Sequence, residues 1–436
     1  MDTLIANVTV VTMNERMDVL FGAFVGIKDG KIAHVGKEAP KEPPKTIIDG
    51  TGMVAMPGFV NCHTHLADTA LRSYLDDVPR NEALEKRLAR EDKLDNRSAK
   101  ASALLALAEC IRCGTTSVSD LYYYPDATAE AAKEAGIKAN VALSAYRFID
   151  ESEEFDFDTD EQCKELCRIA DKWENDPQIR VDAGIYAEYT SNHRLWDALS
   201  SFALEKNLGF QLHLAESAQE ADSCLDRTGL GPGELLSCHG IFREGTCATG
   251  CAALSDEERA LLGKKKISAV FTPIANAKLG LPLMDIAGTV KAGINVALGT
   301  GGASESGNLD MFEVMRHTAL SQRLAGSDSS AMPAAAVLMM ATVCGARAQG
   351  RADSIGMLKE GMDADLILLD FTKPHLLPCH NVLTALVFSA KGSDVALTMA
   401  GGKILYKNGE YTTIDLEKAV TEVKEYTIGR LFDEKG

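Results

Sequence analysis

The sequence predicts an α/β protein in which repeated βα units stand beside a small all-β unit. Two observations carry that reading. Between Pro57 and Thr300, short apolar stretches alternate with longer amphipathic ones, the rhythm of parallel strands joined by helical crossovers. Before and after that region the texture is of short strands parted by Asp-Gly and Gly turns.

Taken in order, the first strand-like segments are Leu4 to Thr12, Gly22 to Ile27, Ile32 to Gly36 and Thr46 to Gly50, with Asp29-Gly30 as the turn between the second and third. The run from Met56 to His65 then opens the alternating region. Seven further strands are expected at Thr115 to Asp120, Lys138 to Leu143, Arg180 to Tyr186, Gly209 to His213, Thr246 to Gly250, Ile267 to Phe271 and Asn295 to Thr300. Amphipathic stretches such as Ser98 to Arg112 and Arg194 to Lys206 supply the intervening helices, and Met332 to Arg347 reads as one more. Strand texture returns at Gly361 to Asp370 and Val395 to Tyr406. The stretch Leu416 to Phe432 is a charged amphipathic helix, expected to pack on the surface.

Composition bounds the functions. Apolar residues make up 46% and charged residues 25% of the 436, enough to bury a large core in a globular protein. The net charge of −18 disfavours nucleic acid and anionic membrane as partners. No apolar run reaches the roughly 18 residues that a membrane span needs. The opening residues lack a basic leader and a cleavage site, and the eleven cysteines follow no framework spacing. A cytoplasmic protein with reduced thiols is the expectation. Neither Cys110-x-x-Cys113 nor Cys163-x3-Cys167 has a second ligand pair nearby.

The most informative stretch is Pro57-Gly58-Phe59-Val60-Asn61-Cys62-His63-Thr64-His65. Residues two apart on a strand share a face, so His63 and His65 would project into one cavity, as ligands of a shared metal must. With the following Arg72, Asp76 and Asp77, this run resembles the opening motif of the amidohydrolase superfamily, in its branch of cytosine, guanine, adenosylhomocysteine and chlorotriazine hydrolases. Gly361-Met362-Asp363-Ala364-Asp365-Leu366 and Val395 to Tyr406 are similar to the closing elements of that family. The resemblance implies a distorted TIM (β/α)8 barrel beside a β-sandwich formed by both chain termini. The expected division is 1–56 with 356–415 for the composite sandwich, 57–355 for the barrel, and 416–436 for a C-terminal helix.

Barrel enzymes work at the C-terminal ends of their strands. His63, His65 and His213 would stand there, and His213-Leu214-Ala215-Glu216 resembles the family's His-x-x-Glu element, in which His binds metal and Glu shuttles protons. Three imidazoles suit one divalent ion, zinc with iron as the alternative, and leave positions open for water. Arg72, Tyr186, Glu188, Phe271 and Ser304 are the expected substrate-binding residues.

Several positions depart from the family pattern. Gly250 stands where the sixth strand has a histidine, and Gly301 where the eighth has a metal-binding aspartate. Phe271 and Tyr186 likewise replace histidines, which predicts a more apolar, less basic pocket. Glu188, Ser304, Glu305 and Asp310 are the groups near enough in sequence to compensate, while Cys247 and Cys251 read as packing thiols. Two readings follow. One is a hydrolase removing an amino group from a purine-, pyrimidine-, pterin- or triazine-like ring, with Glu216 as proton shuttle. The other is a catalytically impaired member that binds or assembles, with its metal weakly held or absent. In either case the expected partner is a small heterocyclic molecule and the expected assembly a homodimer. On this reading Gly301→Asp tightens metal binding, and turnover needs Gly250→His as well.

Overall fold

A computed structural model of the chain describes residues 1–147 and 155–432. Eight parallel strands, Phe59–Thr64, Thr115–Tyr122, Lys138–Leu143, Ile179–Gly184, Phe210–Leu214, Thr246–Gly250, Ser268–Phe271 and Asn295–Leu298, pair in chain order within one sheet. Its two edges are tied together where the chain leaves the eighth strand and meets the first. Thr300 N donates to Asn61 Oδ1 (3.0 Å), Asn61 Nδ2 donates to Thr300 Oγ1 (2.8 Å), and Gly301 N donates to His63 O (3.0 Å). The sheet thereby curls into a nearly closed barrel, the distorted TIM barrel that the sequence predicts. The seven strands expected after the first each coincide with an observed one to within two residues at either end. Gly58 is glycine for a local reason. A Cβ there would lie 2.2 Å from Thr116 Cγ2, where the first strand crosses the second at its start.

The two chain ends share the other sheet, as expected. Its hydrogen-bonded order runs Glu410–Tyr411, Lys403–Lys407, Val395–Ala400, Leu366–Asp370, Met53–Pro57, Thr3–Val11, Val19–Lys28 and Lys31–Gly36, and Thr46–Asp49 pairs with Thr3–Val11 off this path. Ile5, Val25, Ile27, Leu366, Leu397 and Met399 belong to its own apolar core. The central strand Met53–Pro57 is not among the expected ones. Four of its five residues are buried, so it lacks the alternation that marks a half-exposed strand. It runs straight into the first barrel strand and places Pro57 opposite Leu366.

Two helical expectations need correction. Met332 to Arg347 is not one helix but two, Ala334–Met340 and Val343–Ala348, broken at Thr342 (φ −132°, ψ −87°). At the break, Ala341 O accepts from Val60 N (2.9 Å), and Gly345 approaches so closely that a Cβ would lie 2.8 Å from Val60 Cβ. Docking on the first barrel strand outweighs continuity of the helix. The C-terminal helix, continuous through Leu416–Glu422, a π turn at Val423–Thr427 and Ile428–Phe432, is more than a surface tail. Leu431 is fully buried among Ala67, Ala70, Leu71, Leu94 and Tyr122. All eleven cysteines are free, and among the described residues no helix is long and apolar enough to cross a membrane.

Candidate metal centre

The first and fifth barrel strands deliver three imidazoles to one point. His63 lies near the end of the first strand, His65 one residue past it, and His213 near the end of the fifth. One nitrogen from each lies within 4.8 Å of the others, and His63 Nε2 and His213 Nε2 are 3.1 Å apart. His65 Nδ1 stands 2.7 Å from Leu121 O, and His213 Nδ1 stands 2.9 Å from Tyr186 O. Carbonyls only accept, so both Nδ1 atoms carry hydrogen and both Nε2 lone pairs are left for a ligand. Burial, then the neighbouring His65 and His213, hold His63 well below its ordinary pKa, and burial brings His65 down to about 4. With a ring nitrogen from each converging on one point, the three imidazoles form the donor set of a divalent cation such as zinc or iron.

A cavity of about 490 Å³ opens on this cluster, lined by His63, His213, Glu216, Tyr186, Ser304, Gly301 and, from the turn after the eighth strand, Glu305. Glu216 is aimed by its own backbone. Ala215 N and Glu216 N both donate to the Glu220 carboxylate (2.9 and 2.8 Å), with Ala215 in the left-handed region at φ 47°. Tyr186 packs its ring 4.8 Å from that of His213 and accepts from Arg87 Nη2 at 3.3 Å. At the mouth, Lys278 Nζ bridges to Asp76 Oδ1 (2.6 Å).

Two residues absent from the expected set organise the charged side of the cavity. Arg87, on the helix Arg80–Glu91, is ion-paired with Glu305. Burial alone would raise Glu305, but the Arg87 guanidinium beside it holds the carboxyl below its usual value. Asp68, three residues past His65, accepts from Ala303 N (2.9 Å) and Ser304 Oγ (2.7 Å) and so fixes the short helix Ala303–Ser306 that carries Glu305. Burial, with the Glu305 charge beside it, pushes Asp68 up to about 8. Arg87 is hard to find in sequence, because Arg87 and Glu91 at i, i+4 read as an ordinary solvated helix pair. Asp68 offered a weak signal, lying within the His-x-His motif's extension.

Of the expected substrate-binding residues, Tyr186 and Ser304 line the cavity and three do not. Arg72 is ion-paired with Glu109 and donates to Gly307 O (2.7 Å), joining the loop after the first strand to the loop after the eighth. Glu188 is buried against Arg227 (2.8 Å). Phe271 is fully buried in the apolar core, and its neighbour Thr272 faces the cavity instead. Asp310 caps the helix Met311–Gly326 and accepts from Gly392 N (2.9 Å), which employs it structurally. Cys247 and Cys251 are buried, and neither lines the cavity.

The two altered glycines differ. Gly250 has φ 100°, and a Cβ on it would lie 2.7 Å from Glu216 Cγ. Gly301 has φ 72°, and its Cβ would meet Ala275 Cβ at 3.3 Å and Glu305 Oε2 at 3.5 Å. The space a side chain at 301 would use is therefore bordered by a carboxylate already.

Fold and site together define a barrel protein with three histidines at the C-terminal ends of its strands, grouped as they would need to be to hold a metal ion. Residues 54–405 match the amidohydrolase family, and residues 2–49 match the BsNagA composite domain. The chain belongs to the amidohydrolase family. It is 34% identical over 428 residues to a 5-methylthioadenosine/S-adenosylhomocysteine deaminase of Thermoanaerobacter pseudethanolicus, covering 98% of each chain. It is 35% identical over 426 residues to a 5'-deoxyadenosine deaminase of Methanosarcina acetivorans, covering 97% of each. Among solved structures, an adenosine deaminase from Xanthomonas campestris with bound zinc superposes with a TM-score of 0.93 at 28% identity, over 99% of this chain and 98% of that one. The zinc complex of an atrazine chlorohydrolase from Arthrobacter aurescens superposes at 0.89 with 25% identity, over 97% and 99%.

Proposed function

We propose that the protein hydrolyses the exocyclic C–N bond of an amino-substituted heterocycle, with adenine nucleosides altered at the 5' position as the first substrates to test. The observation that carries this reading is the juxtaposition of three converging imidazoles with Glu216 on the wall of one cavity. The named activities of the relatives, deaminases of 5'-modified adenosines, supply the substrate class.

His63, His65 and His213 would hold one divalent ion, zinc in the first instance, whose Lewis acidity makes water nucleophilic near neutral pH. Glu216 takes the proton that water releases on attacking the ring carbon, and returns it to the amino nitrogen as the C–N bond breaks. Water and the amino compound are consumed, and the oxo compound and ammonia leave. Tyr186 and Ser304 offer hydroxyls to the bound ring. Gly250 and Gly301 contribute no reactive group, so the chemistry rests on fewer side chains than the sequence pattern of the family implies.

Ammonia release from 5'-methylthioadenosine, S-adenosylhomocysteine, 5'-deoxyadenosine, guanine and an aminotriazine tests the reading, with the zinc-loaded protein. At least one is expected to turn over, and Glu216→Gln is expected to lower that rate about 10²–10⁴-fold, the usual worth of a positioned proton shuttle. No ammonia from any of them with metal fully loaded would favour the binding module instead.

A further inference from the structure

A divalent cation held by three neutral imidazoles brings two positive charges into a largely buried site, and such a site needs a compensating anion. Among the described residues the acidic side chains that line the cavity are Asp76, Asp77, Glu216 and Glu305. Asp76 and Asp77 are exposed at the mouth, and Asp76 is paired with Lys278. Glu305 differs from them in two respects. Its side chain is only 16% exposed, and its Oε2 stands 3.5 Å from the point where a Cβ on Gly301 would be. Its position is also enforced from two sides. Asp68 pins the helix that carries it, and Arg87 grips its carboxylate.

We propose that Glu305, reaching back from the turn after the eighth strand, is the anionic partner of the three-histidine cation site and occupies the space left by the missing side chain of Gly301. Glu305 lies outside the tight group of imidazole nitrogens, restrained by Arg87, so it acts on the cation from beside the histidine cluster. The inference rests on the metal-site reading above. It also changes what Gly301→Asp should do. A second carboxylate beside Glu305 adds like-charge repulsion as well as attraction for the cation, so the gain from it is small.

Equilibrium dialysis of chelator-stripped protein against zinc or cobalt, with cobalt absorption as a second readout, tests this. Wild-type protein is expected to bind one ion per chain. Glu305→Gln should weaken binding about 10–100-fold, the range seen when a supporting carboxylate of a metal site is lost. Asp77→Asn, the same charge change at the exposed mouth, should stay within about twofold. Gly301→Asp should tighten binding less than about threefold in the wild type yet recover most of the loss in Glu305→Gln, since coupled groups do not add. If Glu305→Gln folds poorly by circular dichroism, Glu305→Asp serves, with a smaller loss and a shifted cobalt spectrum. Overturning results are a Glu305→Gln affinity within about twofold of wild type, an equal loss in Asp77→Asn, or equal tightening by Gly301→Asp in both backgrounds. Wild-type protein that binds neither ion refutes the metal-site reading itself, which is a separate outcome.

Discussion

At Gly250 the backbone, more than the missing side chain, decides what a substitution can do. Its φ of 100° lies where L side chains are strained, and a Cβ would press on Glu216 Cγ at 2.7 Å. Gly250→His is therefore expected to cost about 1–3 kcal/mol of stability from backbone strain alone. It should also displace Glu216, so turnover should fall further instead of rising. Urea unfolding beside ammonia release checks both; an unchanged midpoint with faster turnover would refute the argument. The sequence-based expectation that Gly250→His helps to restore a site assumed an ordinary strand backbone, which one-dimensional alignment supplies by default. His63, His65 and His213 were legible for the opposite reason. Their spacing and their strand ends are local properties, whereas Arg87 meets Glu305 across 218 positions.

At the scale of elements, the cavity wall includes a helix that is braced from outside by the C-terminal helix. Arg80–Glu91 carries Arg87, and the C-terminal helix lies against it, with Arg90 Nη1 donating to Leu431 O (2.9 Å). Tyr426 Oη donates to Asp95 Oδ2 (2.7 Å) just beyond. Leu431 also packs on Leu66–Leu71, the turn that follows His65. Leu431→Ala should cost about 2–5 kcal/mol if the contact holds globally, because it empties a buried leucine site. Because that helix is at the margin of the fold, the loss is expected as local opening. Amide exchange should speed up in 80–91 and 416–432 while the barrel strands stay protected; uniform acceleration everywhere would contradict this. The charge pattern of the tail predicted its helix correctly and its role incompletely. A mostly polar amphipathic stretch says that one face is apolar, but not that the face packs on the turn that follows His65.

For the whole molecule, the question is how two sheets from interleaved stretches of chain behave as one body. Asp365, the second aspartate of the Gly361-to-Leu366 motif, provides much of the answer. Its side chain is 1% exposed and accepts from Lys138 Nζ (2.6 Å), at the start of the third barrel strand, and from Gly401 N (2.7 Å), in the hairpin turn of the small sheet. Its carbonyl accepts from Gly58 N (3.1 Å), at the entry to the first barrel strand. One residue thus ties both sheets to the point where the chain passes between them. The motif was readable in the sequence, and so was the strand after it. That its second aspartate bridges the two sheets was not, because Lys138 lies 227 positions away. Lys138→Met should leave Asp365 buried without its cation, at a cost of about 3–5 kcal/mol. Adding Asp365→Asn removes the stranded charge and keeps an acceptor for Gly401 N, so the double variant should recover a large part of that loss. Urea midpoints of the wild type, the single variants and the double variant form the cycle. A Lys138→Met loss below about 1 kcal/mol, the level of an exposed pair, would mean that this ion pair is not what holds the two sheets together.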